Sequence, residues 1–435
     1  MSARRKIVVL GMMGRCPFGG QTWLYLNWLR GLARLGDDVW YVEDDATWPY
    51  DPRADSVSDD PAYAAEHLER VLAGVGLPGR WAYRALWRGE DACHGLSRER
   101  LVALYSECDA LLNVCGATVL NDDHMRARLR VYVETDPVTN QLELASGKEK
   151  TRAVLDAHHA IATYGENYGA ADCGVPMDGR TYLKTRQPVD LELWPMAFDP
   201  ASAAYTTIGN WRQKGHDVSW NGETYTWSKH HEFLKFVDLP RRCPKARFEL
   251  CLNVDDAADR ELLLSHGWAL SSPLAMSLDP FGYPEFFRRS RAEWTVAKDQ
   301  NVRLKSGWFS ERDACYLASG KPVITQSTGF ENVLPTGEGL FAFRTYEEIA
   351  AAAYEMGRVL KPGGILALTT EFLVMGPSGA RGWPGCRLFA EADLREVAPR
   401  GDSSKGSWVV PIDRAQQVSD GDFVLVMDSV TGEKK

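Results

Sequence analysis

The sequence has no long apolar run, no basic excess and no paired cysteines, and each absence removes a class of protein. No stretch reaches the roughly 18 apolar residues that a membrane-spanning helix needs, so we expect no membrane span. The formal net charge is −9, so no general basic field attracts nucleic acid, and we expect no nucleic-acid partner. The nine cysteines are scattered without a Cys-x-x-Cys pair, which indicates neither a zinc site nor a disulfide framework.

The same features favour a cytoplasmic enzyme. Scattered unpaired cysteines are typical of a reducing compartment. The amino terminus carries two arginines and a short apolar run, which reads better as a first strand than as a signal peptide. A chain of 435 residues, 45% hydrophobic and 25% charged, has the composition of a globular enzyme with two or three domains.

The first 45 residues carry the clearest structural pattern. An apolar strand over residues 6–11 leads into a loop with Gly14, Gly19 and Gly20, followed by a helix with leucines at helical spacing. A second strand follows at residues 38–45, and a β-α-β unit of this kind predicts a parallel sheet. Later strands of the same sheet are predicted at residues 108–116, 128–136 and 157–165.

A Pro-containing, weakly periodic segment at residues 183–200 reads as a linker, and a second α/β series follows it. Its strands are predicted at residues 205–211, 246–254 and 338–345. The predicted fold class is therefore α/β, with two doubly wound, Rossmann-like domains at residues 1–190 and 200–355. Ligands bind in such folds at the carboxyl ends of the strands, here in a cleft between the domains.

Residues 305–339 concentrate groups that suit a phosphate and a sugar. Ser310 is a predicted N-cap for a helix over residues 311–319, whose free N–H groups favour an anion. Lys305 adds a charge, Ser306 and Ser310 add hydroxyl donors, and Gly307 allows close backbone approach. In the Gly-rich loop that follows the next strand, Glu331 and Glu338 are acceptors for sugar or ribose hydroxyls.

This stretch resembles the donor-binding segment of two-domain (GT-B) glycosyltransferases. "KSGWFS" (305–310) is similar to their His-Cys-Gly-Trp-x-Ser segment, with Lys305 in place of the His that contacts the diphosphate. "RDACYLASGKPVITQSTGF" (312–330) resembles the helix–Gly–x–Pro–Val–strand segment of retaining members. The resemblance covers residues 5–355 and is strongest at 303–345.

The resemblance implies a hexosyl-transferring enzyme that takes a nucleotide-diphosphate sugar and an unidentified acceptor. It places the acceptor on residues 1–190 and the donor on residues 200–355. The donor-binding residues that it implies are Lys305, Ser306, Gly307, Ser310, Arg312, Thr328, Gly329, Glu331 and Glu338. The acidic pair of retaining members is missing, since Gly307 and Cys315 stand at those positions, so the stereochemistry stays open.

Neither a metal nor a cofactor is expected, because Lys305, the hydroxyls and the helix N-terminus can stabilise a leaving diphosphate. A general base is expected at a strand end of the first domain. Asp136 is the first candidate and Glu166 the second, although Asp136 also suits a turn-capping role. Gly19 and Gly20 are predicted in an acceptor-facing loop, and without a full Gly-x-Gly-x-x-Gly a dinucleotide site is not indicated.

The last 80 residues follow a different pattern. "LKPGG" and the apolar strand after it resemble the late half of class I S-adenosylmethionine-dependent methyltransferases, over residues 356–435. The glycine-rich loop that cradles the methyl donor is absent, so we interpret this C-terminal α/β fragment as a remnant and expect no S-adenosylmethionine.

Three functions remain open from the sequence. A glycosyltransferase is the first. A nucleotide-sugar epimerase or sugar phosphorylase on the same fold is the second, and a catalytically inactive sugar-nucleotide-binding protein is the third. The missing acidic pair and the unusual tail keep the third alternative open.

Overall fold

The computed structural model describes residues 4–89, 91–197, 199 and 201–359. The predicted methyltransferase-like fragment at residues 356–435 lies almost entirely outside the described residues. In the part of the chain that is described, no helix has both the length and the apolar character needed to cross a bilayer.

The first half of the chain builds an eight-stranded sheet around the predicted β-α-β unit. Its strands are β1 Lys6–Leu10, β2 Asp38–Asp45, β5 Trp81–Ala85, β6 Cys93–His94, β7 Ala110–Val114, β8 Arg130–Glu134, β9 Ala160–Thr163 and β10 Tyr182–Lys184, with a separate small hairpin of β3 Tyr50–Asp51 and β4 Ser56–Val57. The order across the sheet is β10-β9-β8-β7-β1-β2-β5-β6. All neighbours run parallel except β5 and β6.

Five helices accompany this sheet: α1 Gly19–Arg34, α2 Ala62–Gly74, α3 Arg98–Glu107, α4 Thr139–Ala145 and α5 Glu149–Asp156. Helix α1 buries Trp23, Leu26 and Leu29, which recur every three residues along one face. It begins earlier than the sequence predicts, because Gly19 and Gly20 form its first turn instead of a loop.

The second half builds a six-stranded, fully parallel sheet. Its elements are β11 Ala204–Gly209, the hairpin β12 Val218–Trp220 and β13 Glu223–Tyr225, α6 His230–Lys235, α7 Leu239–Arg242, β14 Arg247–Leu252, α8 Ala257–Ser265, β15 Ala269–Ser271, α9 Leu274–Leu278, α10 Tyr283–Arg288, β16 Ala292–Thr295, α11 Asp299–Leu304, α12 Glu311–Ala318, β17 Val323–Gln326, β18 Leu340–Phe343 and α13 Tyr346–Val359. The sheet order is β15-β14-β11-β16-β17-β18, and the hairpin pairs only with itself.

Both sheets are doubly wound, so each has a switch point where the chain changes direction across the sheet. In the first sheet the chain runs outward from β1 through β2 and returns to β7 on the other side. In the second it runs from β11 through β14 and returns to β16. Crevices for ligands form at the carboxyl ends of the strands beside such points.

The carboxyl edges of the two sheets meet across a cleft. Asp136, after β8, contacts Lys298, after β16, and the Trp308 indole N–H donates to the carbonyl of Thr135 at 2.9 Å. The molecule therefore has the two facing Rossmann-like domains of the predicted fold class.

The segment predicted as a linker is packed against α1 rather than free. Its first residues extend β10, and Asp190 accepts from Arg30 at 3.0 Å and from Arg34 at 2.8 Å. Trp194 lies buried between Trp23 and the ring of Phe287, with ring centroids 4.9 Å apart on each side. The predicted boundaries at residues 190 and 200 fall between the two sheets and remain predictions.

Candidate active site

A cavity of about 150 Å³ lies at the switch point of the second sheet. Its walls come from residues 207–210 at the end of β11, Leu252 at the end of β14 and Thr295 at the end of β16. Lys229 and Arg312 also line it. Strands on both sides of the switch point thus contribute to one polar crevice, which is where doubly wound folds bind ligands.

Arg312 is held in a fixed orientation at this cavity. Ser310 caps α12 as predicted, its hydroxyl accepting from the Arg312 N–H at 3.2 Å. The guanidinium donates from Nε to Glu293, from Nη1 to the Ile208 carbonyl at 2.9 Å and from Nη2 to Thr295 Oγ1 at 2.9 Å. A guanidinium has five N–H groups, so one on each terminal nitrogen has no hydrogen-bond partner among the described residues.

Two buried carboxyl groups lie behind Arg312. Glu293 Oε2 and both oxygens of Asp313 have no hydrogen-bond partner among the described residues. Asp313, three residues after the N-cap Ser310, therefore does not complete a capping box. Burial raises the pKa of Glu293 well above its ordinary value, and the attraction of Arg312 offsets only part of that rise. An oxygen of Asp313 also lies 3.8 Å from Arg312 Nη2, so both carboxyl groups are close to the guanidinium.

Lys229 is the second cation at the cavity. Its Nζ lies 5.1 Å from the ring centroid of Trp308, and no carboxylate oxygen of the described residues comes within 4 Å of it. Burial, followed by the repulsion of Arg312, lowers the pKa of Lys229 to about 7. A half-buried lysine without a counter-ion, beside an arginine, favours an anionic ligand that supplies the missing charge.

Lys298 joins the two sheet edges. Its buried Nζ donates to Asp136 Oδ1 at 2.7 Å and lies 3.0 Å from the ring centroid of Trp227. Burial lowers the pKa of Lys298, although Asp136 acts in the opposite direction. Asp136, the first predicted general base, thus stands in the cleft with 42% of its side chain exposed, and a cation already contacts it.

The backbone beside Asp136 adopts a rarely populated conformation. Val138 has φ +89° and ψ −50°, a region that a β-branched residue almost never occupies. Its N–H donates to Gln141 Oε1 at 2.9 Å and to the Tyr168 hydroxyl at 2.9 Å, which holds this conformation. Such strain costs of order 1–3 kcal/mol and is concentrated at functional sites in proteins.

The segment around Lys305 docks onto the first domain. The Lys305 carbonyl accepts from Asn167 Nδ2 at 2.9 Å, and the Ser306 carbonyl accepts from the Asn167 N–H at 3.1 Å. Lys305 Nζ lies 3.4 Å from Asp172, and 43% of its side chain is exposed. Gly307 has φ +81°, and a Cβ there would meet the Asn167 backbone. These contacts form a seam between the domains.

Most other predicted donor residues lie along this seam rather than in the cavity wall. Ser306 Oγ donates to Asn301 Oδ1 at 2.7 Å, the Thr328 hydroxyl donates to the Trp308 carbonyl, and Gly329 abuts Asn167. Glu331 accepts from Ser327 and Arg344, while Glu338 is exposed. Among the predicted donor residues, Arg312 lines the cavity.

Of the residues predicted on the acceptor side, Gly19 and Glu166 are packed, whereas Gly20 is exposed. A Cβ on Gly19 would run into the Tyr283 ring, so this glycine permits contact between α1 and the second domain. Glu166 accepts from Arg186 Nε at 2.9 Å, and burial raises the pKa of its carboxyl.

Sequence reasoning missed Lys229, Glu293 and Lys298. No local spacing marks them, since Lys229 precedes a short helix, Glu293 lies in β16 and Lys298 follows β16, a strand that was not predicted. The available signal was positional: the strand predicted at residues 205–211 opens the second series, and its carboxyl end is where the switch point falls.

Comparison with solved structures supports the fold. An α-glucosyltransferase in complex with UDP and a 13-mer DNA matches at a TM-score of 0.50 and 11% identity, over 83% of this chain and 90% of that chain. The HepE protein of Anabaena bound to UDP and glucose matches at 0.46 and 12%, over 82% and 90%. Starch synthase IV of Arabidopsis thaliana bound to ADP and acarbose matches at 0.44 and 10%, over 82% and 92%.

At such identities these matches concern the fold, and the assignment rests on the first of them. The chain has the GT-B fold, with two Rossmann-like domains facing a cleft. No family model matches the sequence, and no curated protein matches it.

Proposed function

We propose that this protein is a glycosyltransferase that moves a sugar from a nucleotide-diphosphate donor to an acceptor hydroxyl in the cleft. The observation that carries the proposal is the pair of cations at the second switch point. Arg312 offers two spare N–H groups in a fixed fork, and Lys229 has no counter-ion among the described residues. A diphosphate matches both groups in charge and in hydrogen-bond geometry.

The same cations suit the chemistry of the leaving group. When the bond between the anomeric carbon and the phosphate oxygen breaks, negative charge develops on the diphosphate. Preorganised donors in a partly dry site stabilise that charge strongly. Arg312 and Lys229 neutralise it from the protein side, so we propose that transfer of a hexosyl group proceeds without a metal ion.

The remaining assignments give each domain the ligand that the sequence analysis predicted for it. Residues 200–355 hold the donor and residues 1–190 hold the acceptor, with Asp136 and Glu166 as proposed proton acceptors. Both carboxylates meet a cation, Lys298 and Arg186 respectively. We propose that Lys229 takes the role at the diphosphate that was predicted for Lys305, and donor contacts from the other predicted residues of the seam remain a prediction.

A thermal-shift panel of nucleoside diphosphates tests the binding step. A ligand at 100 times its Kd stabilises the folded state by about 2.7 kcal/mol. We expect at least one nucleoside diphosphate to raise Tm clearly more than its nucleoside does. If no member of the panel shifts Tm, the donor site is wrongly assigned.

Turnover of labelled nucleotide-sugars then distinguishes the alternatives. A transferase consumes donor fastest when an acceptor is present, whereas an epimerase converts the donor alone and a phosphorylase requires phosphate. The acceptor panel includes DNA as well as sugars and small alcohols, because the α-glucosyltransferase of the same fold was solved with DNA. Binding without turnover on any acceptor favours an inactive binding protein.

A further inference from the structure

Trp308 is a buried residue of the second domain that contacts both sides of the cleft. Its indole N–H donates to the carbonyl of Thr135, directly after β8 of the first domain, at 2.9 Å. Its ring centroid lies 5.1 Å from Nζ of Lys229, which lines the cavity at the second switch point. One aromatic side chain therefore joins the proposed diphosphate site to the strand end that carries Asp136.

The backbone of Trp308 is itself held in place. Its N–H donates to Ser306 Oγ at 3.2 Å, and its carbonyl accepts from the Thr328 hydroxyl. Ser310 caps α12 two residues further on, and Arg312 lies in the first turn of that helix. The indole is therefore attached to the same ordered segment as the guanidinium that lines the cavity.

The hydrogen bond at Thr135 fixes the peptide group that leads into Asp136. The Thr135 carbonyl and the Asp136 N–H belong to one planar unit, so a bond to the carbonyl also restrains the backbone nitrogen of Asp136. The Thr135 hydroxyl lies 2.8 Å from the Sγ atom of Cys115, which follows β7. The direction in which the Asp136 side chain leaves the backbone depends on the position of this peptide group.

The rest of the turn is strained and is held from the second domain as well. Val138 has φ +89°, and a backbone conformation of this kind persists only where the surrounding contacts determine it. Lys298 Nζ donates to Asp136 Oδ1 at 2.7 Å, and Gln300 Nε2 donates to Thr139 Oγ1 at 2.9 Å. The position of Asp136 in the cleft therefore depends on contacts that the second domain makes.

We propose that Trp308 is a positioning residue that aligns Asp136 with the donor held at Arg312 and Lys229. This inference rests on the proposed function, with Asp136 as the proton acceptor. In the step, the acceptor oxygen bonds to the anomeric carbon while the bond from that carbon to the phosphate oxygen breaks. The bonding electrons leave with the diphosphate, and the hydroxyl proton moves to the Asp136 carboxylate. Trp308 forms no bond to the substrates and acts through the Thr135 carbonyl.

The test removes the indole N–H and keeps an aromatic ring beside Lys229, which Trp308→Phe does. Trp23→Phe is the matched control, because the buried Trp23 indole N–H donates to the carbonyl of Pro280 at 2.6 Å and also joins the two domains. Each variant leaves a carbonyl without its indole donor, so loss of a hydrogen bond between the domains is common to both.

The assay measures release of nucleoside diphosphate from the nucleotide-sugar that the wild type turns over. A misplacement of about 1 Å can cost on the order of 100-fold in rate. We expect Trp308→Phe to lose roughly 10- to 100-fold in kcat, while the Kd for nucleoside diphosphate stays within about threefold of wild type. Trp23→Phe should stay within about threefold of wild type in both quantities.

A double-mutant cycle with Asp136→Asn provides the readout that a purely structural role does not produce. If Trp308 acts through Asp136, adding Trp308→Phe to Asp136→Asn should lower kcat by less than about threefold, because the carboxylate that it aligns is already gone. Trp23→Phe should show no coupling to Asp136→Asn.

Wild-type kcat in Trp308→Phe, an equal loss in Trp23→Phe, or a loss that adds in full to that of Asp136→Asn would overturn the inference and leave the proposed transfer reaction intact. Wild-type turnover in Asp136→Asn would also overturn it, because Asp136 would then not be the proton acceptor. A protein that binds nucleoside diphosphates but releases none from any nucleotide-sugar contradicts both the transfer reaction and this inference, while the binding site stands.

Discussion

Glu311 and Arg312 are neighbours in the first turn of α12, yet their side chains contact different domains. Arg312 donates to the Ile208 carbonyl at the end of β11, while Glu311 faces Asn27 on α1 of the other domain. Successive residues of a helix point about 100° apart, so one turn can serve both walls of a cleft. One turn of α12 therefore places an arginine at the cavity of the second switch point and a carboxyl group against α1 of the other domain.

The burial of Glu311 predicts a pH-dependent stability difference. A carboxyl whose pKa is raised by folding stabilises the protein while it is protonated, and that stability is lost as pH rises through the folded-state pKa. Glutamine mimics the protonated form at every pH. We therefore expect Glu311→Gln to come closest to the wild-type Tm at acid pH, below the ordinary pKa of a glutamate, and to exceed it increasingly as pH rises through the raised pKa. A constant difference across this range would show that the carboxyl is not destabilised by burial.

The seam at Asn167 predicts that Gly307 cannot carry a side chain. An alanine there must adopt φ +81° and also displace the Asn167 backbone. The left-handed conformation alone costs roughly 1–2 kcal/mol, and the clash adds to it. Gly337→Ala is the matched control, because its φ is +105° with open space around the glycine. Chemical denaturation should show a larger loss for Gly307→Ala, and equal losses would mean that the seam is not tightly packed.

Much of the fold could be predicted because its strands are continuous apolar runs. The predicted strands at residues 108–116 and 128–136 appear as β7 and β8. Strands β5 and β16 were missed because a charged residue interrupts each apolar run, Arg84 in β5 and Glu293 in β16. Both charges are buried and paired in the structure, which periodicity cannot reveal.

The site was less predictable because it depends on contacts between distant segments. The resemblance implied Arg312 as one of the donor-binding residues, and the structure places it at a cavity. It gave no reason to prefer Lys229 over Lys305, since both are single lysines near a helix end. Only the order of the strands, which brings β11 beside β16, shows which lysine lies at the switch point.

The buried carboxyl groups predict that Arg312 is important for stability as well as for binding. Removing one partner of a buried ion pair typically costs 3–5 kcal/mol, because a charge stays buried without compensation. We expect Arg312→Ala to lower the free energy of unfolding by about 3–5 kcal/mol in urea denaturation. Adding Glu293→Gln to Arg312→Ala should restore part of that free energy. An Arg312→Ala protein as stable as wild type would show that Glu293 and Asp313 are not charged behind it.

The contact between Asp136 and Lys298 predicts energetic coupling between the domains. Asp136→Asn leaves a buried lysine without its carboxylate, whereas Lys298→Met removes the cation that is expensive to bury. A double-mutant cycle on Tm should therefore show Asp136→Asn to be harmful in the wild type and nearly neutral in Lys298→Met. Additive effects would mean that the ion pair does not form in solution.

The most direct test of the central claim is calorimetric titration of a nucleoside diphosphate and its nucleoside into three proteins: wild type, Lys229→Met and Lys305→Met. A hydrogen bond to a charged group contributes roughly 1.5–3 kcal/mol. If the diphosphate binds at the second switch point, Lys229→Met should weaken diphosphate binding by roughly 10- to 150-fold and leave nucleoside binding unchanged. Lys305→Met should bind both ligands within about threefold of wild type, because Lys305 pairs with Asp172 at the seam. Wild-type diphosphate affinity in Lys229→Met, with a loss in Lys305→Met instead, would contradict the account and place the phosphate at the seam.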